Sequence, residues 1–553
     1  MIMKSLCGQP QTKPDTLLRA GGGGSVKNMQ SKENARLWII PAFLGLIFAV
    51  SILAPLACMF FNIDGASLNK VFSKGELPTV IGNSLLSATL TTLVSLTLAY
   101  LLALCTERSA MPCKGLFRVL ITLPMLIPSV SIGMGTVLLG GNNGLLINLL
   151  GMDSTHVYGL VGIVWGSVMY ALPVAYLMIS NILKYEDCSP YEAARVLGIS
   201  KYRQFAAITL PYLRKPMIAA AFSVFTLSFT DYGVPLMVGG KFKTLPMVMY
   251  QEVIGQLDFG QGSVYGVILL TPAVIAFLLD LLNKNRANGS FVIRPFEPPK
   301  QTLRDGAAFA ATLFLTVLSL LPILSFAVLA FVRKYPADLS LTFDHVFKTL
   351  QMGGGKYLVN SVIISLCVSV IGVILCVLCA YFSARAVSAM SRFLHLVAMA
   401  TAAIPGVVLG LSYVLFYKST PLYGSLALLV IVNTVHFFAS PYLMIYTSFS
   451  KINENLEAVA STLGIGKLRL LKDVLLPTCR QTVAEMLSFF FVNCMMTISA
   501  VSFLVNTSNK PIALMINQFE AQAQMEAAAV VSLLILTVNI AVKVVTSCIK
   551  SER

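Results

Sequence analysis

The sequence predicts an all-α polytopic membrane protein of about twelve transmembrane helices in two homologous six-helix halves, and three observations predict it. Apolar residues make up 56% of the 553 residues and charged residues 12%, with a mean hydropathy of +0.80; such a chain is solvated by a lipid bilayer rather than by water. Twelve apolar stretches recur, centred near Leu46, Thr92, Ile127, Trp165, Thr226, Leu269, Leu320, Gly372, Ile404, Val432, Cys494 and Ile535. Each approaches the ~20 residues that a helix rising ~1.5 Å per residue needs to cross ~30 Å of hydrocarbon. Third, Asn83-Ser84, Ile127-Pro128 and Gly133 return 277 positions later as Asn360-Ser361, Ile404-Pro405 and Gly410, while Tyr176 to Ile179 return 266 later as Tyr442 to Ile445. The change of offset falls on a longer outer loop in the first half, roughly Gly140 to His156.

Helices are expected because open sheets leave backbone groups unsatisfied in lipid and the stretches lack the alternation of barrel strands. Residues 1–36 form a polar tail whose run Gly21 to Gly24 and Ser25 is a flexible linker, natural or engineered. The first apolar run is too long for a signal peptide and no small-residue cleavage site follows it. The first half is expected over 37–283, a linker with Pro295, Pro298, Pro299 and five basic residues over 284–305, and the second half over 306–553. Six spans per half is an even number, so both halves enter from one side and their pseudo-two-fold axis runs along the membrane normal.

Charge orients the bundle. With a cytoplasmic N-terminus, the inner-facing segments hold about three quarters of the 40 Lys and Arg, as the positive-inside rule expects. Both termini are then cytoplasmic, and the formal charge of +16 requires no nucleic-acid partner. Most of the eleven cysteines lie inside apolar runs; Cys376 and Cys379 have CxxC spacing mid-helix, with no second pair or nearby histidine, and read as packing residues. His156, His345, His395 and His436 show no metal-ligand spacing, so no metal site is expected.

Two inner loops carry the same punctuation, a glycine followed 13 positions later by Leu-Pro. The first runs through Tyr191, Glu192, Ala193, Ala194, Arg195, Val196, Leu197 and Gly198 to Leu210-Pro211, the second from Leu456, Glu457 and Ala458 through Leu463 and Gly464 to Leu476-Pro477. Good helix formers after Ser189-Pro190, and a glycine exit, predict a short surface helix over 190–197. Lys201, Tyr202, Arg203, Lys467 and Arg469 follow the glycines. One such loop alone reads as a solvated connector; two at matched spacing read as docking surfaces.

Glu192-Ala193-Ala194, Gly198 and Ile208-Thr209-Leu210-Pro211 resemble the EAA loop of permease subunits of bacterial binding-protein-dependent ABC importers, and the resemblance extends over both halves. In the second copy Ala458 falls where Glu192 stands, with Glu457 one residue earlier. The resemblance implies a type I importer permease with two ordinarily separate subunits fused, in a bacterial plasma (inner) membrane. It implies as partners two cytosolic ATP-binding-cassette ATPase subunits on the loops and an extracytoplasmic solute-binding protein on the other face, moving a small-molecule substrate by alternating access. The docking residues are then Glu192, Ala193, Ala194, Gly198, Lys201, Pro211, Glu457, Ala458, Gly464, Lys467 and Pro477. No cofactor is expected, nor a catalytic role: Gly239-Gly240-Lys241-Phe242 and Gly464-Ile465-Gly466-Lys467-Leu468 lack the hydroxyl residue that a phosphate-binding loop places after its lysine.

Asp231, within Ser228-Phe229-Thr230-Asp231-Tyr232-Gly233-Val234-Pro235, marks a substrate pathway with Tyr232 and, at the 266 offset, Thr497. A carboxylate in hydrocarbon faces a cavity or a partner, and the Gly and Pro after it suggest a broken helix; the alternative is an aspartate satisfied by helix packing or lying near the outer interface. Pro124, Pro128, Pro405, Gly133, Gly135, Gly406 and Gly410 read as packing residues by default and as gates otherwise. Asn83 and Asn360 read as interface or capping residues.

Fused permeases of this shape resemble importers of ferric iron, thiamine and 2-aminoethylphosphonate. Residues 229–279, with Gly239-Gly240 and Tyr250-Gln251-Glu252-Val253-Ile254-Gly255-Gln256, look most like the phosphonate group. Lys241, Lys243, Arg333, Lys334 and Lys348 on the outer loops either favour an anionic cargo or lie in solvent. Two other classes compete. An ion-coupled secondary transporter would bury several coupling charges and needs no matched inner helices; a membrane enzyme needs clustered catalytic groups, and neither signature is present.

Overall fold

A computed structural model describes residues 41–551 except 143, 146, 148–156, 284–297, 336, 386–388 and 454. The expected tail over 1–36, most of the linker and most of the longer outer loop lie outside the described residues. Among the described residues helix dominates, with one antiparallel hairpin, Val332–Lys334 against Asp338–Leu341, between the first two helices of the second half.

Seven single helices among the described residues are long and apolar enough to cross a membrane: Pro41–Phe61, Leu77–Arg108, Leu160–Lys184, Phe259–Leu279, Thr302–Phe331, Asp344–Arg385 and Met525–Cys548. Three bent pairs bring the number to ten, where the sequence predicts twelve. The two remaining stretches are the helices Leu210–Thr230 and Arg480–Met496, the fifth of each half. The first opens with Arg214, Lys215 and Pro216, and the second has only 17 residues. Both stop at the same landmark, where Asp231 and Thr497 turn extended with ψ of 129° and 127°.

The expected spans at Ile127 and Ile404 are not straight crossings. Lys114–Leu126 meets Ser129–Gly140 at 101°, and Ala389–Ala403 meets Gly406–Tyr417 at 108°. Each break is an Ile-Pro pair: proline brings no N–H and pushes its predecessor out of the helical region, so Ile127 and Ile404 are extended. The halves differ at the next element. Leu160–Lys184 is continuous in the first half, whereas Leu426–His436 and Ala439–Ser450 bend by 54° at Phe437-Phe438 in the second.

The first helix of each half packs on the other half. Pro41–Phe61 lies against Gly406–Tyr417, where the Tyr413 hydroxyl donates to the Ser51 carbonyl at 2.7 Å. Thr302–Phe331 lies against Leu77–Arg108 and Ser129–Gly140, so close that a Cβ on Gly135 would sit 2.6 Å from Pro322 Cβ; small residues let membrane helices approach this way. The last helix closes the seam, with Ser131 and Ser532 hydroxyls 2.8 Å apart and Asn539 Nδ2 donating at 2.9 Å to the Leu126 carbonyl freed by the break at Pro128.

The repeated Asn-Ser pairs fasten the segment after each broken fifth helix. Asn83 donates to the Lys243 carbonyl and Ser84 accepts from the Leu245 amide; Asn360 donates to the Ser508 carbonyl and Ser361 accepts from the Ile512 amide.

Candidate functional site: the paired loops and the cavity between the halves

The two loops share one backbone construction. Ser189–Val196 and Asn455–Thr462 are the surface helices. Each ends in a Schellman exit: Ile199 N–H returns to the Ala194 carbonyl at 2.9 Å and Gly198 N–H to Arg195, as Ile465 returns to Ala460 at 2.8 Å and Gly464 to Ser461. Gly198 and Gly464 both sit at φ +69°, in the left-handed region that glycine enters freely. The Leu-Pro punctuation also acquires a cause. Proline cannot donate in the helix ladder, and a widened π turn, Phe205–Thr209 and Leu471–Leu475, precedes Pro211 and Pro477.

Each loop is rooted by an arginine from the end of its half's second helix, and these arginines, Arg108 and Arg385, stand 277 apart in the sequence. Arg108 pairs with buried Glu186, and its guanidinium lies 5.6 Å from the Tyr191 ring centre. The Tyr191 hydroxyl donates to Glu186 at 2.5 Å and accepts from Thr209 at 2.7 Å; burial pushes this phenol up, so it remains protonated. In the second half Arg385, with its side chain 3% exposed, grips Glu457 with two nitrogens at 2.5 and 2.8 Å and donates to the carbonyls of Ile452 and Asn453 at 2.7 and 2.9 Å. At the 266 offset Glu457 is the counterpart of Tyr191, not of Glu192. It is an inward root, while Ala458 occupies the outward position of Glu192.

The outward faces are exposed and mixed in character. Glu192, Ala193, Lys201 and Pro211 are exposed on the first loop, and Ala458, Lys467 and Pro477 on the second; Ala194 is buried against the body. Val196 at 88%, Leu197 at 74% and Tyr202 at 82% exposure, with Leu463 at 68%, stand among these charges. Exposed apolar side chains set among charges are the composition expected of an interaction surface.

The expected pathway residues are dispersed. Asp231 accepts from Ser129 Oγ at 2.6 Å, from Gly233 N–H at 3.2 Å and from Val234 N–H at 3.0 Å, so it caps the helix Gly233–Val238 and ties the broken fifth helix to the bend after Pro128. Tyr232 is buried, stacks on Tyr250 at 4.5 Å and shares a 2.9 Å hydrogen bond with Ser502 of the second half. Thr497 is buried and donates back to the Asn493 carbonyl. A cavity between the halves, about 320 Å3, is lined instead by Thr226 and Thr230 of the first half and by Pro405, Gly406, His436 and Ser440 of the second. None of Asp231, Tyr232 and Thr497 lines it.

Asp231→Asn replaces one acceptor oxygen by a donor facing Ser129 or the Val234 amide, a mismatch of about 1–3 kcal/mol. A lower unfolding temperature of the purified chain is expected, with reduced transport and unchanged binding of its partners. Normal transport at the control expression level excludes a pathway role for Asp231.

A sequence profile described as "Binding-protein-dependent transport system inner membrane component" matches residues 95–289 and 372–550, one copy in each half. The chain belongs to this family. As a member of it, this chain is a multi-pass inner-membrane permease component of an ABC importer. It is 24% identical over 523 residues to the ferric transport system permease protein FbpB of Actinobacillus pleuropneumoniae, covering 90% of this chain and 75% of that protein. It is also 24% identical to the thiamine transport system permease protein ThiP of Escherichia coli, covering 82% and 85%. A shorter similarity, 26% over 223 residues, links it to a spermidine/putrescine transport system permease protein PotC homolog of Mycoplasma pneumoniae, covering 40% of this chain and 75% of that protein.

Proposed function

We propose that two cytosolic ATPase subunits dock on the paired loops and drive the two halves between inward- and outward-facing packings, and that an extracytoplasmic binding protein delivers the solute. The observation that carries this reading is the duplicated loop, with its matched glycine exits and arginine roots. A rigid helix fastened to the second and fourth helices of its half transmits a push to that half, and closure of two such helices is a rigid-body transition. Glu192, Ala193, Lys201, Ala458 and Lys467 form the contact faces, Gly198, Gly464, Pro211 and Pro477 shape them, and both termini lie on the same, cytoplasmic, side.

The cargo we propose is 2-aminoethylphosphonate, on the resemblance of residues 229–279. Ferric iron or thiamine is the second reading, favoured by the similarity to ferric and thiamine permeases over most of the chain. The test is co-purification of the chain with the ATPase and binding protein encoded beside it, then ATP-driven uptake of each of the three solutes into proteoliposomes. ATP-dependent uptake of one solute is expected. Uptake driven by an ion gradient, with no associated ATPase, would return the chain to the secondary transporters.

A further inference from the structure

The halves depart from each other around the fourth helix and the proline bend, and a cavity lies there. In the first half Ser129 follows the proline bend and hydrogen-bonds Asp231, while Tyr170 stands on an unbroken fourth helix. The counterparts in the second half are Gly406, Thr497 and His436. Gly406 brings no side chain, and a Cβ there would lie 2.2 Å from Ser499 Oγ and 3.0 Å from His436 Cε1. Thr497 turns back to its own helix, and the fourth helix bends immediately after His436. Where the first half has a Ser129–Asp231 bridge, the second half has Ser499 and His436 packed onto Gly406, and this imidazole borders the cavity.

His436 Nδ1 is buried with no hydrogen-bond partner among the described residues, and its ring borders the cavity with the hydroxyls of Thr226, Thr230 and Ser440. Nδ1 itself is enclosed, and it is the rest of the half-buried ring that faces the cavity; an imidazole set there without a partner at Nδ1 is a polar group that helix packing alone does not account for. Among the described residues, no Asp, Glu, Lys or Arg lines the space. A bare ferric ion requires anionic oxygen ligands, and a strongly charged solute is costly in a neutral low-dielectric lining.

We infer that His436 is a solute-contacting residue of a transit site carried asymmetrically by the second half, and that this site takes a small organic solute that is neutral or internally charge-balanced and rich in hydrogen-bonding groups. This rests on the importer reading above and adds the solute class and the residue that meets it. The first half, bridged between Ser129 and Asp231, supplies a wall with two threonine hydroxyls.

The test uses the complex of this chain with its ATPase and binding protein in proteoliposomes, given 2-aminoethylphosphonate, thiamine or ferric iron. His436→Phe should lower uptake of the organic solute roughly tenfold, the value of about one lost hydrogen bond, while ATP hydrolysis stimulated by the loaded binding protein stays near the wild-type rate. His436→Gln, which keeps a hydrogen-bonding group, should recover much of the uptake, an outcome that separates contact from structural damage. Undiminished uptake in an assembled His436→Phe complex overturns the inference, as does equal loss of uptake in the Phe and Gln variants. Wild-type uptake of ferric iron alone overturns the solute class. Absence of ATP-driven uptake in the wild type overturns the importer reading instead.

Discussion

Arg385→Ala should abolish ATP-driven transport while leaving the chain inserted in the membrane. Arg385 is almost wholly enclosed and makes two contacts to Glu457 and further ones to the carbonyls that end the preceding helix. Truncating one member of such a pair strands the other carboxylate in a partly buried site, with a loss of about 3–5 kcal/mol. That loss is local, because the arginine joins the loop to the end of the second helix and lies outside the core of the bundle. The surface helix Asn455–Thr462 should then detach from its half, and ATP hydrolysis in the complex should continue without uptake. Glu457→Gln is the milder companion: it removes the charge, keeps one hydrogen bond and should retain a fraction of transport. Uptake and ATPase rates measured on the same proteoliposomes decide the matter. Wild-type coupling in Arg385→Ala would mean that the root does not carry force.

Gly198→Val should produce the second largest effect. At φ +69° a residue with a Cβ is strained by about 1–2 kcal/mol, more when β-branched. Nothing lies within 4 Å of the added atom, so the entire cost is conformational and falls on the Schellman exit that aims the chain from Ala194 toward Lys201. The expected result is a loss of uptake of roughly fivefold to tenfold and weaker retention of the ATPase, with normal expression. Gly75 provides the control, since it has φ +66°, equally open space, and a position between the helices Gly65–Ser73 and Leu77–Arg108, far along the second helix from Arg108. Gly75→Val should leave transport unchanged. An equal loss in both variants would assign the effect to general strain and remove the special role of the loop.

The asymmetry of the second loop changes how its degeneracy is understood. Glu457 looks like a shifted copy of Glu192, yet it stands in the place of Tyr191 and serves the interior, as Tyr191 does through Glu186. The first root is a relay of arginine, glutamate and tyrosine; the second is a direct ion pair. Both reach the same geometry by different chemistry, which a fused chain permits because each half evolves against one fixed neighbour.

The sequence by itself determined the membrane class, the duplication and the two loops, because composition, span length and a repeated order of residues are read along the chain without knowing which segments touch. It located the helix break at Asp231 for the same reason, since the Gly and Pro that follow are local signals. Its twelve stretches exceed the ten by the fifth helix of each half, Leu210–Thr230 with Arg214 and Lys215 near its start and Arg480–Met496 with only 17 residues, because apolar content does not reveal where a helix begins and stops. Only the tertiary structure revealed Arg108 and Arg385 as roots of the loops: each is a lone basic residue at the end of an apolar run, and its partner arrives from a segment 72 or more residues away. The same holds for the first-helix exchange and for the cavity at His436. A histidine in a helix carries no signal of function until the packing of two halves decides which neighbours it lacks.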